Sequence, residues 1–178
     1  MRSTGTERNI ETDSPDKLEK LYRAILDSAL DCIITMDASG RVQEFNPAAE
    51  RVFGFNRKEA IGKELAELII PERMREQHRR GLARYLKTGE GPVLGKRIEI
   101  AGLRRDGSEI LVELAITTSQ IDSAPVFTAY LRDITERVRA DRRRLAQYTI
   151  ASLLAAPGHW RRRARQSWKR SHQSAIGF

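Results

Sequence analysis

The chain has 178 residues, which is enough for one domain of ordinary size with extensions. Its net charge of +8 at pH 7 is concentrated at one end, because residues 137–178 carry 11 Lys or Arg and one acid, whereas residues 1–136 carry 21 Lys or Arg and 23 Asp or Glu. This distribution excludes a uniformly basic nucleic-acid-binding domain. The lack of an apolar run near ~20 residues argues against a membrane span. The single cysteine, Cys32, excludes an internal disulfide framework and favours a reducing cytoplasm.

The N-terminal region is predicted to be a disordered segment, 1–14, followed by an amphipathic helix, 15–29. Residues 1–14 lack hydrophobic periodicity. Ser14 is a favourable helix cap, and Pro15 suits the first helical position. Apolar residues then recur on one helical face, at Leu18, Leu21, Tyr22, Ile25, Leu26 and Ala29.

A β-hairpin and three short helices are predicted next. Residues 31–37 and 41–45 have strand composition and are separated by turn residues that end in Gly40. An Asn-Pro pair at 46–47 begins a helix that Gly54 ends. A capping box then joins Asn56 to Glu59, and a further brief helix covers 64–70.

A longer helix is predicted from Pro71 to about Lys87, and it contains a histidine on its apolar side. At about 100° per residue, His78 falls on the same face as Met74, Leu82 and Tyr85. The histidine therefore either binds something or is packed in the core, and the residue pattern leaves both readings open.

After Pro92 the hydrophobic period changes to two, which predicts three strands. Ile98 and Ile100 begin the first, and Asp106-Gly107 supplies a tight turn into the second, which contains Val112. A looser turn is predicted at 121–125, before a last strand at 126–132. The short connections require these strands to be antiparallel. Charged residues such as Arg104 and Glu113 are interpreted as solvated turn and strand positions.

The last predicted element is an exit helix at 137–156. Asp133 to Glu136 is interpreted as a capping box that launches it. Near-heptad spacing predicts an imperfect coiled coil through Ile134, Val138, Asp141, Leu145, Tyr148 and Ser152. Pro157-Gly158 stops the helix, and the basic tail at 157–178 is expected to be disordered.

Seven short stretches within about 21–136 carry a family resemblance. They are the turn at 37–40, NPAAERVFGF at 46–55, EAIG at 59–62, the Ile-Pro pair at 70–71, Thr-Gly at 88–89, RRDGSE at 104–109 and YLRDITER at 130–137. In this order they resemble a PAS domain of the S-box type, which is found in bacterial sensor and two-component signalling proteins.

The resemblance implies an α+β fold in which a five-stranded antiparallel sheet carries short helices on one face. The PAS domain would occupy 30–136, between N-terminal and C-terminal amphipathic helices. The resemblance also places Asp133 and Thr135, with Glu136, where the last strand passes a signal to the exit helix. It implies a small ligand cavity, for which the candidate wall residues are Ile34, Phe53, Met74, His78, Tyr85, Ile98, Val112 and Phe127.

The resemblance leaves the cofactor open. We expect that none is bound, and haem and flavin are the alternatives. In haem-containing members of the family a histidine on the long helix ligates iron, and His78 occupies the similar place. Those members carry an arginine on the following strand, but this chain has Ile98 there, with Arg97 predicted to face the other way. Flavin photochemistry is disfavoured because the similar helix has no cysteine, and Cys32 is interpreted as a small buried hydrophobe.

The expected function is a sensory module with no catalytic or metal site. No Gly-rich ATP motif or nucleophile–base pair stands out, so no kinase or other output activity is expected. The expected partner is a second copy, paired through the two flanking helices, with other signalling proteins as further partners. Two alternatives remain open: nucleic-acid binding through the tail, with Trp160 and Trp168, and a shortened form of a longer receptor.

Overall fold

The computed structural model describes residues 15–155, so the predictions for 1–14 and for the tail, including Trp160 and Trp168, lie outside the described residues. The described residues divide into two compact units, with the boundary between Thr135 and Glu136. The elements are α1 (Pro15–Ser28), β1 (Cys32–Met36), β2 (Val42–Phe45), α2 (Pro47–Phe53), α3 (Arg57–Ala60), α4 (Leu65–Ile69), α5 (Glu72–Thr88), β3 (Arg97–Leu103), β4 (Glu109–Ile121), β5 (Ala124–Asp133) and α6 (Thr135–Ala155).

The five strands form one antiparallel sheet in the order β2-β1-β5-β4-β3, which confirms the predicted α+β fold. The last strand in sequence therefore lies at the centre of the sheet, between β1 and β4. Register pairs Cys32 with Leu131 and Leu131 with Leu114, so these side chains share one face. This inner face packs against the helices and forms the core.

The capping predictions for the short helices are confirmed. The Asn46 side chain accepts a hydrogen bond from the Ala49 N–H, and Gly54 ends α2 in a left-handed conformation with φ 81°. Asn56 and Glu59 form the predicted reciprocal capping box.

The predicted looser turn at 121–125 is wrong. β4 continues to Ile121 and β5 begins at Ala124, so Asp122 and Ser123 alone connect the two strands. Both have positive φ, 50° and 66°, which is the geometry of a tight two-residue hairpin. The usual glycine signal is absent from this pair, and the long pairing of the two strands imposes the turn.

The apolar stripe of α1 is mostly uncovered. Only Leu26 is buried, at the end of the helix nearest the core. Its carbonyl accepts a hydrogen bond from the buried Asn46 side chain, whose oxygen accepts from the Ile33 N–H. Among the described residues, no helix is long and apolar enough to cross a bilayer.

Candidate functional site

The long helix α5 is held loosely over the sheet. Pro71 precedes it, and Gly89 ends it with a left-handed φ of 71° and a hydrogen bond to the Tyr85 carbonyl. None of its 17 residues is fully buried. Its inner side is therefore only half covered, although Leu82 and Tyr85 pack against the core. We refer to this half-covered interface between α5 and the inner face of the sheet as the cleft.

His78 faces inward from the middle of α5, as predicted from helical spacing. Its Nδ1 atom is buried and has no hydrogen-bond partner among the described residues. Burial lowers the pKa of His78 below its ordinary value, and the nearby Arg79 acts in the same direction while Glu64 opposes it. The imidazole is consequently neutral near pH 7, and a neutral ring nitrogen is available to accept a proton or to ligate a metal.

The sheet supplies an apolar wall opposite α5. The Tyr85 ring packs edge-on against Phe127, with 5.1 Å between ring centroids, and its hydroxyl lies 3.4 Å from the Thr118 hydroxyl. Ile98 pairs with Leu114 and so lies on the inner face. The cleft thus combines apolar side chains with few polar groups.

Arg97 faces the outer surface, as predicted, and its guanidinium lies 3.3 Å from the carboxylate of Glu113. The Arg97 side chain therefore does not reach the side of the sheet that faces α5.

The eight predicted cavity residues fall into two groups. Ile34, Phe53, Val112 and Phe127 are buried members of the core. The other four are partly covered and lie nearer the cleft: Met74, His78, Tyr85 and Ile98.

Two depressions lie away from His78. One is a cavity of about 50 Å³ between α1, β2 and α2, lined by charged side chains that include Glu44 and Arg57. The other is an open groove of about 550 Å³ at the start of α5, lined by Arg73, Arg75 and Glu109 among others. His78 lines neither of these two depressions.

A hydrogen-bonded hinge joins the sheet to the first residue of α6. The Thr135 hydroxyl accepts a hydrogen bond from the Leu111 N–H at 3.0 Å, and the Ile134 N–H donates to the Leu111 carbonyl at 2.9 Å. Asp133 accepts from the Thr135 N–H at 2.8 Å and from Arg104 at 2.8 Å. The strand β4, the β3–β4 turn and the end of β5 are thereby fixed to one point.

The Asp133 carboxylate is ionised at neutral pH. Burial raises its pKa, but hydrogen bonds from Thr135 and the positive charge of Arg104 outweigh burial and hold the pKa below its ordinary value. Glu136, which we predicted to complete a capping box, instead accepts a hydrogen bond from Arg139 within its own helix.

Sequence reasoning missed two members of this hinge. Arg104 was assigned to a solvated turn, yet its side chain is part-buried and its Nε atom has no hydrogen-bond partner among the described residues. Leu111 contributes through its backbone, which carries no side-chain signal. Register supplies the missing information, because Val112 pairs with Asp133 and brings these segments together.

Comparison with known proteins agrees with this architecture. The family model of the PAS fold matches residues 20–134. Sensor protein FixL from Bradyrhizobium diazoefficiens is 36% identical over 125 residues, which are 70% of this chain and 25% of that protein. Oxygen sensor protein DosP from Escherichia coli is 25% identical over 140 residues, 79% of this chain and 17% of that protein. The matches thus span about a quarter or less of these relatives.

A solved structure shows the same fold. The PAS domain of an HTR-like protein from Haloarcula marismortui superposes with a TM-score of 0.53 and 24% identity, and the match covers 67% of this chain and 93% of that one.

Proposed function

The chain belongs to the PAS family, and we propose that it is a sensory module that passes a change in the cleft beside α5 to the exit helix α6. A PAS domain is a sensory domain related to those of signalling proteins such as FixL and DosP. The observation that carries the proposal is the hinge, in which Leu111, Asp133 and Thr135 tie β4 to the first residue of α6.

The proposed route runs along β4. Its inner positions Leu114 and Ile116 lie toward the cleft, whereas Val112 is buried in the core and Leu111 is bonded to the hinge. A packed β-strand transmits a displacement along its length because neighbouring side chains cannot be compressed independently. Occupancy of the cleft would therefore alter the hydrogen bonds at Thr135.

A cleft-filling variant tests this route without knowledge of the ligand. Leu82→Trp adds bulk on the inner side of α5, and Ala83→Trp adds the same bulk on its exposed side. We expect Leu82→Trp to change hydrogen–deuterium exchange at the Leu111 and Ile134 amides, and Ala83→Trp to leave it unchanged. Equal exchange in both variants and the unsubstituted chain would refute the route.

A second candidate function, haem-based gas sensing, is favoured by His78. The buried, neutral imidazole with an unpartnered Nδ1 atom fits the requirement for an iron ligand. His78 would hold a haem, which would supply the gas-binding chemistry. Ile98, on the facing strand, would exclude water and offer no hydrogen bond to the bound gas. One relative that matches 79% of this chain is named an oxygen sensor protein.

Absorption spectroscopy tests this candidate. The chain purified from cells supplied with hemin should show a Soret band that His78→Ala abolishes. Gln77→Ala, on the exposed side of α5, is the matched control and should retain the band. A spectrum without the band in the unsubstituted chain would exclude haem and leave a colourless ligand or a protein signal.

The proposed partner for α1 is a second copy of the chain. Three large apolar side chains of its stripe are about half exposed or more: Leu18, Leu21 and Ile25. Pairing two such stripes would remove them from water. In light scattering, Leu21→Glu should lower the molar mass to that of a monomer, whereas Arg23→Glu, off the stripe, should not.

We also propose a reducing cytoplasm as the location, because the chain has a single cysteine.

A further inference from the structure

The helix α6 presents an apolar seam that is largely exposed among the described residues. Val138, Leu145 and Tyr148 recur at spacings of seven and three residues, which place them on one face of the helix. The Leu145 and Tyr148 side chains are 66% and 74% exposed, whereas Val138 is half-covered. Large apolar side chains that lie together on an exposed face indicate a contact with a partner.

Arginine lies on both sides of this seam. Arg137 and Arg144 each immediately precede a seam position on one side, and Arg142 lies on the other. All three side chains are exposed. The only acid between 137 and 152 is Asp141, which lies within the seam and 3.9 Å from Arg144. The borders of the seam therefore carry one sign of charge.

A second copy of α6 is a poor occupant of this seam. A parallel pair would place Arg137 of one copy beside Arg142 of the other and would bring the two Asp141 carboxylates together in the centre. An antiparallel pair centred on Asp141 would place Arg137 beside Arg144. Like charges in either arrangement oppose association.

Nucleic acid is also a poor occupant, because phosphate would satisfy the arginines and leave Leu145 and Tyr148 in water. Asp141 lies between Arg137 and Arg144 on one border and Arg142 on the other, so its carboxylate would be repelled by the phosphate backbone. An occupant that satisfies the whole face needs an apolar stripe with acidic borders.

We propose that the seam of α6 docks an acidic amphipathic helix of another protein rather than a second copy of itself. The inference rests on the proposed function, in which α6 carries the output, and it names the kind of partner that receives it. Glu or Asp on the borders of the partner helix would pair with Arg137, Arg142 and Arg144, and its apolar stripe would cover Tyr148.

The test measures the binding of two labelled peptides, each covering residues 135–155, to the full chain. One has the native sequence, and the other carries Arg137→Glu, Arg142→Glu and Arg144→Glu, so that the two have the same apolar seam. We expect the acidic peptide to bind about tenfold more tightly, as the sum of three exposed charge pairs gained in place of repulsions. Added salt should reduce the difference.

Substitutions in the full chain identify the surface. The same three Arg→Glu changes in the chain should reverse the preference between the peptides, and Tyr148→Glu should weaken binding of both. Arg143→Glu, which lies opposite the seam, is the control and should leave the preference intact. Tighter binding of the native peptide would instead show self-pairing and overturn the proposal.

Duplex DNA is the competing probe. The proposal is overturned if DNA displaces the acidic peptide and if binding of DNA to the full chain is lost with the three Arg→Glu changes but not with Tyr148→Glu. A failure of hinge exchange to respond to Leu82→Trp would refute signal transmission and leave the peptide preference unaffected, so the two proposals fail separately.

Discussion

Two helices that pack against the same sheet are buried to different degrees. The seven-residue helix α2 buries Ala48, Ala49 and Phe53. The 17-residue helix α5 buries none of its residues fully. The strand β4 reaches from the hinge to the interface with α5. The difference indicates that α5 is the more easily displaced of the two helices.

Removing a large side chain from each of the two helices should give the largest contrast. Phe53 is 0% exposed and its ring lies 6.4 Å from that of Phe45. We expect Phe53→Ala to lower the free energy of unfolding by about 3–5 kcal/mol, because it leaves a cavity in a packed core. Met74→Ala, on α5, should cost about 1 kcal/mol or less. Equal costs in urea denaturation would contradict the contrast.

The hinge should contribute to stability as a packed part of the fold does. Thr135→Val keeps the side-chain shape but removes the acceptor for the Leu111 N–H. We expect a loss of about 1–3 kcal/mol in unfolding free energy, the cost of an unsatisfied part-buried donor. Thr117→Val, on the exposed outer face of β4, should be nearly neutral. A neutral Thr135→Val would show that the hinge hydrogen bond contributes little to stability.

Two glycines give a smaller contrast with opposite signs. A methyl group at Gly102 would lie 3.2 Å from the Phe53 ring and 3.4 Å from Ile110, so Gly102→Ala should destabilise the fold by about 1–2 kcal/mol. Gly81, within α5, has nothing within 4 Å of that position. Gly81→Ala should stabilise by about 0.5–1 kcal/mol because alanine favours the helix. Thermal denaturation of both variants measures the signs.

Among the described residues, His78 should govern the pH dependence of stability between its folded pKa and its ordinary pKa of 6.5. Since burial lowers its folded pKa, the unfolded chain binds the proton more readily in this range. Stability is therefore fully present above pH 6.5 and falls as the pH decreases through the folded pKa. The pKa of Glu64 and that of Asp133 are lowered from 4.5 and 3.8, so these carboxylates act at lower pH.

Urea denaturation at several pH values checks this smallest effect. His78→Leu should remove the slope just below pH 6.5, and Gln77→Leu should retain it. A slope that persists in His78→Leu would mean that another group titrates on folding.

Much of the local structure was predictable because its signals lie within a few residues. Asn46, Gly54 and Asn56 mark helix ends through hydrogen bonds to neighbouring backbone groups. The inward direction of His78 followed from helical geometry. The connection at Asp122-Ser123 was not predictable from its residues, because strand pairing over ten positions forces the tight turn.

Buried charge was the least visible feature of the sequence. Glu44 is a charged residue on a strand, where exposure is the usual expectation. It is nevertheless buried and accepts two hydrogen bonds from Arg57, at 2.7 and 2.9 Å. Burial raises the pKa of Glu44, but hydrogen bonds from Arg57 and the Phe45 backbone hold it below its ordinary value. Nothing in the spacing of these two residues indicates the pair, which depends on how α3 approaches β2.

The sequence by itself determined the elements, their capping residues and the apolar face of each, because these depend on interactions between residues that are close along the chain. Only the tertiary structure decided that β5 lies at the centre of the sheet, that Arg104 and Leu111 join Asp133 at the hinge, and that α5 remains half covered. These features depend on strand register and on the balance of packing between distant segments, and no local pattern encodes either.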